Sequence, residues 1–557
     1  MGISAEMKYI MKCIVCSKEF KVPTFTSTIP NHRVEDKKET GGSSCPGSGI
    51  MGILVGPSSD SGGSDAAIPD QQSGLKPEDT SRKAGRPITK AINEPAREIR
   101  VCREADVVVV GGGPGGIGAA ISAARSGAKT ILLERYGHLG GMASGGLVNI
   151  IPNLSDISGR QQLFGLNQEL IDRLDLRGGT SYPKKEHWGT TDKKIVDYYL
   201  KANLGWFYVR NDPNIGNQNR VLYTAVVDPE ILKDELNQMV IEAGVDLFLH
   251  SWGVQPIMEA NTVKGVIFES KSGRQAILGK VVVDSTGDGD IFVGAGAEYD
   301  NKLDFNRRTA WLATVFWVAN VDVKRYTDFK ASNPGNYALL MQELAKKGGF
   351  LKFFTGVLEN QENVVWYQCF LPRPDGKASD AKDVEELTRA DVYGRKRALI
   401  TYEFMKKSIP GFEKSFVMQV APQLGIQGGR RIIGEYTLTE KDMVSDEIFD
   451  DTIAVLANND NVAISAKHPT LCIPYRCLVP REVDGLLVAC RAFSSDDTVN
   501  HHFNIIPHCI CYGQAAGAAA SIAVNAGIQP RKIDYKELQK NLTRQGVLLP
   551  KSNRIDS

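Results

Sequence analysis

Two groups of residues have types and spacings that chemistry can use. The first is the run Val107-Val-Val-Val-Gly-Gly-Gly-Pro-Gly-Gly116, which places Gly111, Gly113 and Gly116 as G-x-G-x-x-G directly after an apolar stretch, with Pro114 and Gly115 inside the loop. In such a loop the first glycine makes a sharp turn and the second lets a pyrophosphate reach bare backbone. The third lets a helix pack closely on a strand. Glu134 closes the following apolar run, where a carboxylate accepts the hydroxyls of an adenosine ribose. The second group is Cys13-x2-Cys16 with His32 and Cys45, one Cys3His set. A CxxC turn presents two thiolates to one tetrahedral zinc ion, and the other two residues can close the shell. A redox CxxC, or thiols with no ligand, are the alternatives.

The first group needs particular elements around it. The four valines suit a buried parallel strand, and Ala119, Ala120, Ala123 and Ala124 suit a closely packed helix ended by Ser126-Gly127-Ala128. Lys129 to Leu133 then reads as a second strand carrying Glu134 at its end. The stretch from Val107 to Ala124 has no charge, as a membrane span would. Its six glycines and one proline would make a poor spanning helix. The unit as a whole reads as dinucleotide-binding.

Beyond Glu134 the chain continues Arg135-Tyr-Gly-His-Leu-Gly140-Gly141-Met142. An acid at a strand end followed by a Gly-Gly loop resembles FAD enzymes of the glutathione-reductase-like superfamily, which implies FAD contacts from Arg135, Gly140, Gly141 and Met142. Val281-Val-Val-Asp-Ser-Thr286-Gly287-Asp288 is similar to the strand and "ATG" turn of those flavoproteins. Gly485 to Ser494, and Gly513-Gln514 onward, resemble their final strand and helix. In those enzymes that helix aims its N-terminus at the flavin pyrimidine edge, which makes Gly513 and Gln514 the expected contacts. Ser408-Ile-Pro-Gly-Phe-Glu413, Gln423-Leu-Gly-Ile, Arg430 to Thr439 and Phe449 to Ala454 match a bacterial group called FAD-dependent oxidoreductases, distantly related to the glucose-inhibited division protein A family. The resemblance runs from about Asp106 to Leu549. Separately, the segment ending Cys45-Pro-Gly-Ser-Gly resembles short zinc-ribbon-like modules.

The resemblance places residues 494–513 beside the isoalloxazine. Relatives often carry an arginine where Asn504 stands, and Arg-Glu-Thr where this chain has Gln427-Gly428-Gly429. Both departures make a carboxylate-anchored substrate a poorer expectation. What remains is His501, His502 and Asn504. A histidine titrating near neutrality suits removal of a hydroxyl proton, and a neighbouring His or Asn can orient the alkoxide. The implied reaction is hydride transfer from a hydroxyl-bearing small polar molecule to FAD. Reduction of an activated double bond is one alternative, and a flavoprotein acting on RNA or a protein partner through its zinc module is another. Arg430 and Arg431 could meet substrate or flavin phosphate, or form an interdomain ion pair. His138 could carry covalent flavin, and Asp496 could bind the ribityl chain. Cys509-x-Cys511 reads as redox-active or as small core residues.

At 557 residues the chain can form two or more cores, and its net charge of +1 provides no global field for nucleic acid. No apolar signal region stands out near Met1 to Met11, and the ten cysteines suit a reducing cytoplasm. The expected class is α/β: a discontinuous Rossmann-type FAD-binding domain (100–151, 222–300, 471–557), an inserted α+β substrate domain (152–221, 301–470), a linker (52–99) and a zinc-binding module (7–51). A small-molecule substrate is the expected partner, without nucleic acid or membrane. A homo-oligomer is compatible, and the electron acceptor is left open.

Overall fold

The computed structural model describes residues 9–12, 19–22, 53–57, 91–201, 208–212, 218–350, 353–358, 361–373, 375–459, 464 and 467–550. It divides into two units, Met1–Gln71 and Gln72–Ser557. Cys13, Cys16, His32 and Cys45 lie outside the described residues. In the first unit Tyr9–Lys12 pairs antiparallel with Glu19–Val22 on one side and with Ile53–Pro57 on the other. The linker expected from residue 52 therefore opens with a strand. Ile53-Leu54-Val55 is an apolar, β-favouring run that the surrounding Gly, Ser and Asp obscure.

The second unit is built on a seven-stranded sheet. Asp246–Phe248, Thr130–Leu133, Arg100–Val110 and the end of Gly273–Asp284 lie side by side in parallel, and Leu486–Val488 adds to Asp284's edge. The hairpin of Trp252–Glu259 and Thr262–Ser270 extends the first half of the Gly273–Asp284 strand. Val107 to Val110 are buried on both faces, as the unbroken valine run requires. Register aligns Val110 with Leu133 and with Asp284, and Asp284 with Val488. Five parallel strands thus end on one edge, where the glycine loop, Glu134, the Ser285 turn and Ala489 begin. Ligands of open α/β sheets bind at this edge.

One face of the sheet is covered by the helix Pro114–Arg125 and the long helix Ile506–Ala526, here called the terminal helix although the shorter Tyr535–Arg544 follows it; the two long helices touch backbone to backbone. A Cβ on Gly513 would lie 1.9 Å from the Gly115 carbonyl oxygen, and one on Gly517 would lie 2.1 Å from that of Ala119. Beside them runs Pro229–Glu242, whose N-cap Asp228 accepts from the N–H groups of Glu230 and Ile231.

The substrate-domain boundaries shift. Leu166, Leu170 and Leu174 share one helix face in Leu166–Leu176 and join the same core as the terminal helix, as do Ile453, Leu456 and Leu471. The separate cap is centred on an antiparallel sheet ordered Phe353–Leu358, Gln361–Leu371, Leu312–Ala319 and Phe416–Val420, with Gly425–Ile426 also pairing Leu312–Ala319. Its aromatics Phe316, Trp317, Trp366 and Tyr367 are buried core residues. Among the described residues no helix is long and apolar enough to cross a membrane.

Candidate functional site

The three glycines of the loop divide their roles sharply. Gly111 sits at φ +100°, and a Cβ there would lie 2.4 Å from the Ser285 carbonyl oxygen. On Gly116 it would lie 1.7 Å from the Gly111 carbonyl oxygen, and on Gly115 1.8 Å from that of Ala489. Gly113 differs: its φ is −72°, and an added Cβ would meet nothing within 4 Å. It is the N-cap of Pro114–Arg125, a helix with no acidic residue in its first turn. Open space therefore faces unpartnered helix N–H groups, a setting that suits the pyrophosphate of a dinucleotide. Glu134 is buried at the adjoining strand end. It accepts from the Gly112 N–H at 2.6 Å and the Tyr136 N–H at 2.7 Å, so it also braces the loop. The Gly140 N–H donates to the Gly112 carbonyl, and a Cβ on Gly141 would lie 3.0 Å from the Gly113 Cα. Met142 follows in the short turn Gly141–Ala143, and Arg135 stacks over Tyr136. These positions converge on one loop edge.

The second turn is held from within. The fully buried Asp284 carboxylate accepts from the N–H groups of Thr286, Ile291 and Phe292 and from the Thr286 hydroxyl; burial raises its pKa against those bonds. Thr286 is thereby tied to the turn. Asp288 pairs with Arg491 at 2.7 Å, and the guanidinium rests against Gly287. Asp290 pairs with Arg430 at 2.8 Å. Its carboxyl is pushed up to about 6 by burial and by Asp284 and Asp288, against the pull of Arg430 and Arg135. Arg430 also donates to the Asp288 carbonyl. Arg431, 1% exposed, pairs with Asp300 and donates to the Ser495 carbonyl. Both arginines are therefore ties between chain segments, the ion-pair alternative.

The terminal helix corrects one expectation. It begins at Ile506, with Pro507 in its first turn, so Gly513 and Gln514 lie well inside it. Gly513 packs on Gly115, and Gln514 is buried, its side-chain oxygen accepting from the Leu166 N–H at 3.2 Å. The helix start that can face a ligand is Ile506 to His508. Cys509 and Cys511 are two apart on this helix, so their side chains diverge. Burial raises both thiols to about 12, so neither is a thiolate; Cys509 is buried in the core and Cys511 packs half-buried against it. Asp496 caps the helix Asp497–Phe503 through the Val499 N–H and also holds the Glu440 N–H. His138 lies within 3.3 Å of the Ser144 hydroxyl and stacks on Tyr136.

That short helix, Asp497–Phe503, carries the histidines to the turn before the terminal helix. The rings of His501 and His502 meet edge to face at 4.8 Å. The cap grips this helix. Arg308 donates to the His501 carbonyl, Arg307 to the Thr498 hydroxyl, and Thr309 to Asp497. Burial, then Arg308, His502 and Arg307, hold the His501 imidazole well below its ordinary pKa, and its Nδ1 is buried without a hydrogen-bond partner. His501 is thus a neutral ring and not one poised near pH 7. Asn504 donates to the Gln427 carbonyl at 2.7 Å and to the Asn500 side chain at 3.2 Å. Both its N–H donors are committed, so it cannot donate to an alkoxide as the sequence suggested. Arg307, Arg308 and Arg491 escaped the sequence reading; only the last left a signal there, a basic residue just past an apolar strand. A cavity of about 350 Å³ lined by Asp156, Asp446, Leu471 and Leu548 shares no residue with the glycine loop.

Several known proteins are similar to parts of this chain. A 110-residue stretch is 36% identical to the dihydrolipoyl dehydrogenase of Trypanosoma brucei brucei, covering 18% of this chain and 22% of that protein. A 90-residue stretch is 36% identical to the mitochondrial dihydrolipoyl dehydrogenase of Caenorhabditis elegans, covering 16% and 18%. The chain thus spans at most 22% of the length of these curated relatives. Among solved structures, a geranylgeranyl bacteriochlorophyll reductase-like protein from Thermoplasma acidophilum is 15% identical with a TM-score of 0.40, covering 79% of this chain and 83% of the other. The p-nitrophenol 4-monooxygenase PnpA from Pseudomonas putida DLL-E4 is 12% identical with a TM-score of 0.39, covering 79% and 84%. Likeness at this level says nothing of substrate. The family model described as FAD dependent oxidoreductase matches residues 106–542, and the chain belongs to that family.

Proposed function

We propose that this flavoenzyme oxidises a hydroxyl-bearing small polar molecule. Bound FAD would supply the acceptor for the hydride that leaves the substrate carbon. The residues fit that cofactor: the space at Gly113 and the helix start at Pro114 suit its pyrophosphate, and Glu134 suits its adenosine ribose. Arg135, Gly140, Gly141, Met142, Gly287 and Asp288 would line its path. The observation that carries the oxidation reading is the His501–His502 ring pair on the helix just before the terminal helix. Of the pair, His502 would receive the hydroxyl proton, because His501 is held well below its ordinary pKa and is the weaker base; His501 would orient its neighbour. Arg430, Arg431 and Asn504 already have protein partners, which weighs against the anion clamp that double-bond reduction would use. Replacing His501 and His502 singly with alanine should slow anaerobic flavin bleaching by substrate by about 10²-fold or more. Unchanged bleaching in both variants would overturn the proposal.

We propose further that Cys13, Cys16, His32 and Cys45 hold a structural zinc ion, on the chemistry of the donor set alone. Metal analysis of the full chain should find about one zinc per polypeptide, lost in Cys16→Ser. Protein without zinc at full occupancy of FAD would contradict it. Placement in the cytoplasm and action on a small molecule, with no RNA, complete the proposal.

A further inference from the structure

We infer that Arg491 is the cation that binds the pyrophosphate of the dinucleotide; the inference rests on the FAD reading of the glycine loop. Arg491 follows the last parallel strand, Leu486–Val488, on the edge where the loop begins. The residues just before it touch the loop itself. A Cβ on Gly115 would lie 1.8 Å from the Ala489 carbonyl oxygen and 3.3 Å from the Cys490 Cα. The Arg491 guanidinium lies against Gly287, its Nη1 2.7 Å from where a Cβ would stand, and only glycine leaves it that room. Nη2 donates to Asp288 Oδ1 at 2.7 Å, and the Arg491 carbonyl accepts from the Asn500 side chain at 2.7 Å. The Nε atom is buried and has no hydrogen-bond partner.

The Arg491 side chain keeps 16% exposure, so part of the guanidinium can be reached, and with Nε unpaired in the protein an added acceptor beside it is favourable. The charges agree. Around the turn Arg135, Arg430 and Arg491 stand against Asp284, Asp288 and Asp290, a balanced set in the protein alone. A pyrophosphate brings about two negative charges, and the helix start offers only partial positive charge from its N–H groups. A planar guanidinium donates to phosphate oxygens through several N–H groups at once, which a lysine cannot match. Asp288 would then hold Arg491 in place, not neutralise it.

The test titrates ADP and adenosine into the full-length chain, flavin removed, by calorimetry. Arg491→Gln should weaken ADP by about tenfold or more and leave adenosine within about twofold. Arg491→Lys should restore part of the ADP affinity. If Arg491→Gln does not fold, Arg491→Lys carries the test, with ADP weakened by about a few fold and adenosine unchanged. Equal losses for ADP and adenosine, or no loss for either, would overturn the inference. A wild-type chain that binds neither ADP nor FAD would instead overturn the FAD reading beneath it.

Discussion

Asp290 has a pKa near 6 because it is buried beside Asp284 and Asp288, and Arg430 only partly offsets this. For a carboxyl with a folded pKa above its unfolded value, the folded state binds the proton more tightly. The stability this contributes is full below the unfolded value of 3.8 and is lost as pH rises through about 6. Asp290→Asn removes the titration. Its melting temperature relative to wild type should therefore rise between about pH 4 and pH 7; a difference that stays level, or falls, would mean Asp290 is ionised throughout. At this scale the sequence was a partial guide. The glycine loop and Glu134 were legible because strand, loop, helix, strand and acid follow one another within about thirty residues. The Arg491–Asp288 pair, with partners 203 residues apart, and the grip of Arg308 on the histidine helix are tertiary facts, and the one local trace is that Arg491 is a basic residue just past an apolar strand. The suppressed pKa of His501 depends on burial and on arginines from the cap, which the local sequence does not record.

Among the elements, the contact between Pro114–Arg125 and Ile506–Ala526 positions everything else, because both helices start at the ligand edge. Gly517→Ala isolates that contact. In an isolated helix alanine would be favoured by about 1 kcal/mol. Here its Cβ would stand 2.1 Å from the Ala119 carbonyl oxygen and 2.8 Å from the Ala123 nitrogen, backbone atoms that cannot swing aside. Overpacking should win, with a net loss of about 1–3 kcal/mol in urea unfolding; a stabilised variant would show that the helices separate freely. The strand, glycine loop and helix near residue 110 were legible because three levels of pattern agree there. The start of the terminal helix was not. His508-Cys-Ile-Cys-Tyr512 carries no strong helical signature, and the Ala-rich run after Gly513 draws the eye; Pro507, suited to a helix's first turn, was the available sign.

On the scale of the molecule, a sheet edge formed by strands from three distant parts of the sequence meets a cap whose arginines hold the histidine helix. The boundaries of that cap were the least legible feature, since Leu166–Leu176 and the strands around Ile453 and Leu471 have apolar patterns that any core could use. The claim on which the rest stands is that the open space at Gly113 is where FAD phosphates lie. Gly113→Val tests it directly, because φ is ordinary there and an added Cβ meets no protein atom within 4 Å. In an FAD titration, wild-type chain should bind and turn yellow. The variant should unfold at the same urea concentration as flavin-free wild type, yet lose FAD affinity by about a hundredfold or more, the scale expected when a side chain fills a phosphate position. A variant that binds FAD as wild type does, or a wild-type chain that refuses FAD, would contradict the account.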